Sequence, residues 1–242
     1  MKEEKQSSKQ RQHKNMQCVI RKYQPSDHDA VVTLFRSGIT EHVLPAFRQA
    51  LLHPDNVGWA LSLAVAAAAV SRGSLWPAAA AVAAWAGLLL LVCRETFHGY
   101  VRAKLRTDMS DIPAHFLSHP DRCFWVAEAE EAGGSRVVAG TVAVVRRGDG
   151  AGRECGEVLR LNVSPAFRRR GLGSRLTQVA LEFCRARGFS RVALETSSVQ
   201  TDACRLYLAL GFTHVRTQLT PTLPQWAARL SRVTVLSLEK LL

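Results

Sequence analysis

Arg168, Arg169, Arg170, Gly171 and Gly173 fall together in the run RRRGLGSRL, directly after a short apolar stretch. Residues of these types at the start of a helix suit one task, the holding of an anion by backbone amides. Glycine lets the backbone come close to a ligand, and the first-turn N–H groups of a helix have no partner within it. The helix dipole favours negative charge at the same end, and three arginines extend the field. Two familiar phosphate loops are excluded. A Walker loop needs a lysine that is missing here, and the dinucleotide fingerprint G-x-G-x-x-G meets Leu176 where its third glycine belongs. What remains is R-x-x-G-x-G, Arg168 to Gly173, and its natural guest is a pyrophosphate.

Two charges lie nearby in the strand-like GEVLRLNV. Glu157 and Arg160 are three residues apart, which strict strand alternation sends to opposite faces. Arginine binds carboxylates in a bidentate fashion, so Arg160 is suited to an acidic ligand or to a neighbour such as Glu195. Cys155 and Cys204 are near in sequence, but no histidine stands by to activate either one.

The elements around these residues follow from periodicity. QCVIRKYQ reads as a strand, and Ser26 or Asp27 can cap a helix to about Gly38 with Ala30, Val31, Leu34 and Phe35 as its stripe. CFWVAEAE and RVVAGTVAVVR are strands joined by the Gly-rich EAGGS, and GEVLRLNV is the strand that delivers the arginine-glycine turn. The helix from Gly171 buries Leu172, Leu176, Val179, Ala180, Phe183 and Cys184, and Gly188 stops it. RVALET is a further strand. TDACRLYLALGF is a helix closed by Gly211, with Ala203, Leu206, Tyr207 and Leu210 as a buried stripe. THVRTQLT and RVTVLSLEK supply two last strands.

Between Val57 and Cys93 the composition changes. Arg72, in the turn-like SRGS, is the single charge, and the flanking arms are nearly uncharged. A spanning helix needs about 20 apolar residues; the second arm qualifies and the Ala-rich first arm is close to the limit. The alternative is a buried helical hairpin. The chain has 242 residues, a formal net charge of +12 and six scattered cysteines. These imply a folded domain with reduced thiols and no structural zinc or other metal. The charge by itself also fits nucleic acid, but no basic helix interleaved with aromatics is present, so no nucleic-acid partner is expected. Residues 1–16 read as a basic solvated tail without a signal peptide.

R-x-x-G-x-G after an L-x-V strand with Pro165 following it, together with the later ACRLYLALGF, resembles the GCN5-related N-acetyltransferases. TDMSDI (Thr107 to Ile112), CFWVAE (Cys123 to Glu128) and the apolar insert resemble the membrane-bound, camello-like branch. That branch includes cysteine-S-conjugate N-acetyltransferases, with aspartate N-acetyltransferase as a close relative. The resemblance covers roughly residues 17–56 and 94–242. It implies an α/β acetyltransferase fold, a mixed and mostly antiparallel sheet flanked by helices, with the apolar hairpin inserted at 57–93.

The resemblance also implies roles. Acetyl-CoA is the cosubstrate. Its pantetheine lies along Leu161, Asn162 and Val163, and its pyrophosphate sits on the amides from Arg169 to Ser174, through Arg170, Gly171, Leu172 and Gly173. Tyr207 occupies the proton-donor position, with core packing as its other reading. Glu157 takes the base position through water, or is merely a strand end. Arg160 receives an acceptor carboxylate, with Glu195 beside it. The acceptor is then an amino-acid-like amine or a lysine side chain. A catalytically silent acetyl-CoA-binding anchor protein is the alternative. If the first strand joins the sheet formed after Cys123, the insert must leave and return on one side of the bilayer. Basic flanks on both sides of it place the domain on the cytosolic face of an intracellular membrane, the endoplasmic reticulum.

Overall fold

The computed structural model describes residues 18–72, 74–130, 135–148 and 154–242. The basic tail at 1–16, Gly73 and most of the EAGGS loop lie outside the described residues. Two compact units emerge, and the chain passes between them at Phe35/Arg36, Ser110/Asp111, Val192/Ala193 and Lys240/Leu241.

The first unit comprises the segments up to Phe35 and from Asp111 to Val192, with the last two residues of the chain. It holds β1 (Cys18–Lys22), β2 (Cys123–Glu130), β3 (Arg136–Gly148) and β4 (Glu154–Val163), each antiparallel to the next. β1 pairs with β2 from Cys18↔Ala129 to Lys22↔Trp125, across the whole of the insert. The first strand and the strands after Cys123 therefore share one sheet, as expected. α1 (His28–Thr40) follows a 3-10 turn at Pro25–Asp27. Val31, Leu34 and Phe35 are buried as its pattern predicts, whereas Ala30 is exposed.

Asp27 does more than start that helix. Its carboxylate accepts from the Gln24 N–H at 2.8 Å and from both Arg21 guanidinium nitrogens at 2.7 and 2.8 Å. Arg21 donates in turn to Glu128 on β2 at 2.7 Å. Burial works against the Asp27 charge, but the Arg21 bond and the Gln24 N–H outweigh it and hold the carboxyl below its ordinary range. One arginine thus ties the entry of α1 to the first strand pair.

α5 (Ile112–Phe116) is a single turn that the sequence pattern did not reveal, capped by Asp111 through the Ala114 N–H at 3.0 Å. α6 (Leu172–Ala186) buries Leu172, Leu176, Ala180, Leu181 and Cys184, while Val179 and Phe183 are half-buried. Phe183 meets Trp125 edge-on at 5.1 Å. Gly140 on β3 is what allows α6 to lie so close. A Cβ there would stand 2.9 Å from Leu176 Cδ1 and 3.0 Å from the Asn162 carbonyl oxygen.

The second unit comprises residues 36–110 and 193–240. It contains α2 (Val43–Leu51), α3 (Pro54–Val70) and α4 (Leu75–Leu105). α7 (Thr201–Ala209), α8 (Gln225–Ser231), β6 (Thr213–Leu219) and β7 (Thr234–Leu241) complete it, with the end of β5 (Arg191–Ser197). The strand order is β5-β7-β6, and β6 and β7 are antiparallel. Ala46, Ala50, Cys93, Phe97 and Val233 form its core cluster.

α4 is longer than its apolar arm, running unbroken for 31 residues through the basic segment that follows. Leu89, Val92, Cys93, Thr96, Phe97 and Val101 lie on its buried stripe, so packing carries the helix on after the apolar run ends. The turn between α3 and α4 matches the SRGS expectation. Arg72 is left-handed at φ 52°, and the Ser71 hydroxyl bonds to the carbonyls of Ala67 and Ser74 at 2.8 and 3.0 Å.

Candidate active site

In the first unit the site begins with an irregularity in β4. Ala143 pairs with Leu159 and Thr141 with Asn162, so Arg160 and Leu161 together face one residue, Val142. This is a β-bulge, and it bends the strand and re-aims the side chains at its centre. Arg160 takes the strain at φ 54° and is buried. The Thr141 hydroxyl donates to its carbonyl oxygen at 2.8 Å, and the Asn162 amide donates to the same atom at 3.4 Å. Strict alternation, which would send Glu157 and Arg160 to opposite faces, therefore stops at Arg160. The Arg160 guanidinium lies over the Phe35 ring, 5.3 Å from its centroid. Glu157, three residues earlier, pairs with Arg147 on β3 at 3.2 Å. Leu161 and Val163 are half-buried, and Asn162 is buried.

Past Val163 the chain turns sharply. Ser164 N–H bonds to the Ala139 carbonyl at 2.8 Å, a 3-10 turn covers Pro165–Phe167, and buried Phe167 anchors it. Arg168 reaches back, its Nε donating to the Val163 carbonyl oxygen at 2.9 Å. Two residues then adopt the left-handed conformation, Arg169 at φ 62° and Gly171 at φ 75°. Gly171 is the residue before α6, and no side chain caps the helix there. The first-turn amides of Leu172, Gly173 and Ser174 have no partner within the helix and leave the turn together. Arg168, Arg169 and Arg170 are exposed around them. The turn is thus a concave set of N–H donors at the positive end of a helix, ringed by guanidinium groups. Its donors fit a pyrophosphate.

In the second unit, Tyr207 is buried on α7 and packs edge-on against Phe212 at 5.7 Å. Phe212 N–H returns to the Tyr207 carbonyl at 3.0 Å through Gly211 at φ 84°, which closes the helix as its sequence predicts. Of the expected stripe, Tyr207 alone is fully buried; Ala203, Leu206 and Leu210 are half-buried. Burial raises the pKa of the Tyr207 phenol, and nearby Cys204 adds to the shift. The group keeps its proton at neutral pH, as a donor must. Burial likewise raises the Cys204 thiol, which disfavours the thiolate a nucleophile requires. Glu195 is exposed on β5. At the end of that strand Gln200 accepts from the Thr196 hydroxyl at 2.9 Å and the Ser197 N–H at 3.0 Å, fixing the entry to α7.

Residues 88–212 match the family described as "Acetyltransferase (GNAT) family", which takes in the bulged strand, the arginine-glycine turn and α7. The chain belongs to that family. N-acetyltransferase 8F1 of Mus musculus is 37% identical over 193 residues, covering 80% of this chain and 85% of that protein. N-acetyltransferase 8B of Homo sapiens is 38% identical over 198 residues, covering 80% and 83%. The acetyltransferase therefore falls with the camello-like N-acetyltransferase 8 group. Two solved structures share its fold. A GNAT-family acetyltransferase from Staphylococcus aureus Mu50 has a TM-score of 0.53 at 12% identity, covering 93% of this chain and 99% of its own. A chain of the NatC complex bound to Gag peptide and CoA has a TM-score of 0.51 at 13% identity, covering 94% and 99%.

The acetyltransferase carries several contributors that residue spacing did not reveal. Thr141 pins the bulge, Phe35 supports Arg160, and Gly140 makes room for α6. A lone glycine inside an apolar strand was the single available signal, because such a residue marks a bulge or a close approach.

Proposed function

We propose that the acetyltransferase moves the acetyl group of acetyl-CoA to the primary amine of a small, carboxylate-bearing, amino-acid-like acceptor, at an intracellular membrane. The observation that carries this reading is the turn from Arg168 to Ser174. Two left-handed residues and an uncapped helix start there make an anion cradle directly after β4. Arg169, Arg170, Gly171, Leu172, Gly173 and Ser174 then receive the pyrophosphate, and Arg168 braces the turn against Val163. Leu161, Asn162 and Val163 offer backbone groups to the pantetheine.

Transfer forms the acceptor C–N bond and breaks the thioester C–S bond. The amine loses a proton, which Glu157 receives through water, and the departing thiolate takes the proton of Tyr207. Arg160, buried and backed by Phe35, holds the acceptor carboxylate.

The membrane reading is supported by α4, which is long and apolar enough to cross a bilayer, with 11% of its most apolar window buried. Because β1 and β2 are hydrogen-bonded neighbours, the insert must return to the side it left. Tail and catalytic residues then share the cytosolic face of the endoplasmic reticulum, where acetyl-CoA is available.

Membranes containing the protein should release coenzyme A with free amino acids or cysteine S-conjugates. Simple amines without a carboxylate should be poor acceptors. Preference for lysine peptides would redirect the acceptor assignment. Coenzyme binding without release to any amine would favour the silent anchor instead.

A further inference from the structure

α3 and α4 leave the second unit as a hairpin whose foot is locked by polar groups. Asn56 is buried there, its amide donating to the carbonyls of Ala50 on α2 at 2.8 Å and Leu230 on α8 at 3.2 Å. The Trp85 indole N–H donates to the Asn56 carbonyl at 3.0 Å, and Arg232 pairs with Asp55. The end of α2, the start of α3, α4 and the end of α8 thus meet at one level. Beyond it, α3 extends from Val57 to Val70. At 1.5 Å per residue that is about 21 Å, against a hydrocarbon core of about 30 Å.

The shortfall has a consequence for Arg72. If the foot stayed in water, the arginine at the tip would stop inside the hydrocarbon, where its charge is costly. The foot, however, also exposes large apolar side chains. Leu52 is 76% exposed, Leu91 61% and Trp226 60%, and Leu90, next to Leu91 in the chain, is also exposed. Trp226 is about one helical turn from Leu230, which bonds to Asn56. Arg48, Arg94 and Arg229 are exposed on the same helices. Apolar residues with a tryptophan and a fringe of arginines suit the boundary between acyl chains and lipid phosphates.

Given the membrane-inserted hairpin on which this rests, we propose that its foot is a second, interfacial membrane contact. Leu52, Leu91 and Trp226 sink about 5–10 Å into the headgroup–acyl boundary. Arg48, Arg94 and Arg229 lie against the phosphates. The depth gained offsets the short arms and brings Arg72 to the opposite headgroup layer. The anchor is then a hairpin with a wetted base rather than a hairpin alone.

The test uses the full chain in phosphatidylcholine–phosphatidylserine vesicles, with an environment-sensitive fluorescent amino acid at position 226, 52 or 65. Spin-labelled lipids then report depth. Position 65, in mid-hairpin, should be quenched best by deep labels, and positions 226 and 52 best by shallow ones. Probes at 226 and 52 that remain water-like while 65 is deep would overturn the interfacial foot and leave the hairpin standing. A water-like probe at 65 would remove both. Positions 226 and 52 are open enough for substitution without loss of fold, and an unchanged melting temperature checks this.

Discussion

Gly171→Asp should separate folding from coenzyme binding, because binding responds to it far more strongly than stability does. Gly171 is left-handed at φ 75°, and a Cβ built there meets nothing within 4 Å. The cost to the fold is therefore conformational, about 1–2 kcal/mol for an L-residue, and aspartate tolerates the region better than most. Against this, a carboxylate at the N-terminus of α6 gains roughly 0.3–1 kcal/mol from the helix dipole. Stability should change little, with a melting temperature within about 5 °C of the parent. Binding should respond strongly. A carboxylate about 5 Å from a phosphate charge, at an effective dielectric constant near 20, is opposed by roughly 3 kcal/mol. That is about a hundred-fold in Kd. Calorimetric titration with acetyl-CoA and a thermal melt of the same sample measure both quantities. A folded Gly171→Asp protein with parental coenzyme affinity would refute the pyrophosphate assignment. Gly171→Ala supplies the control, since it carries the strain without the charge and should bind far better than the aspartate variant.

Tyr207→Phe keeps the packing against Phe212 but removes the proton, so turnover should drop about 10²–10⁴-fold with coenzyme affinity preserved; unchanged turnover in single-turnover kinetics would return Tyr207 to the core. Arg160→Leu should raise KM about 10–100-fold for carboxylate-bearing amines, the scale of a charge-assisted bond, and spare simple amines; equal losses for both would point to damage at the bulge. The Asp27 carboxyl is held below its unfolded value, so its contribution is present above about pH 4 and is lost as pH falls through the folded value. Asp27→Asn should accordingly destabilise the protein at neutral pH and flatten the acid limb of its pH–stability curve, and a limb of parental steepness would show that other carboxylates govern it.

The backbone geometry of the arginine-glycine turn could be read from the sequence, for a local reason. A glycine at a strand–helix junction, helix-start amides and adjacent arginines all act over six consecutive positions, and each consequence depends on backbone geometry nearby. The same holds for the closure of α7 at Gly211, left-handed at φ 84°, and for the presence of a turn at Arg72. The stretch that forms α2 gives little signal in the sequence although Ala46 and Ala50 have helical spacing, because the helix is short and has Pro45 in its first turn. α5 and α8, of five and seven residues, offer still less.

The bulge at Arg160 belongs to a different class of fact. It exists because β4 pairs with β3 in a register where two residues oppose Val142, and a strand's own sequence does not state its partner's register. Phe35 likewise comes to Arg160 from a helix far away in the chain, before the whole insert. The basic segment RETFHGYVRAKL already reads as helical; that it continues α4 without a break goes with the stripe from Leu89 to Val101, which finds its partners in segments before and well beyond it. The foot of the hairpin is the clearest case. Asn56, Trp85, Ala50 and Leu230 carry no common motif, and their hydrogen bonds join segments up to 174 positions apart. Chain-local chemistry wrote the left-handed turn and the helix start after it into the sequence. Long-range pairing, which depends on what each segment meets after folding, decided where the arginine points and what packs at the base of the hairpin.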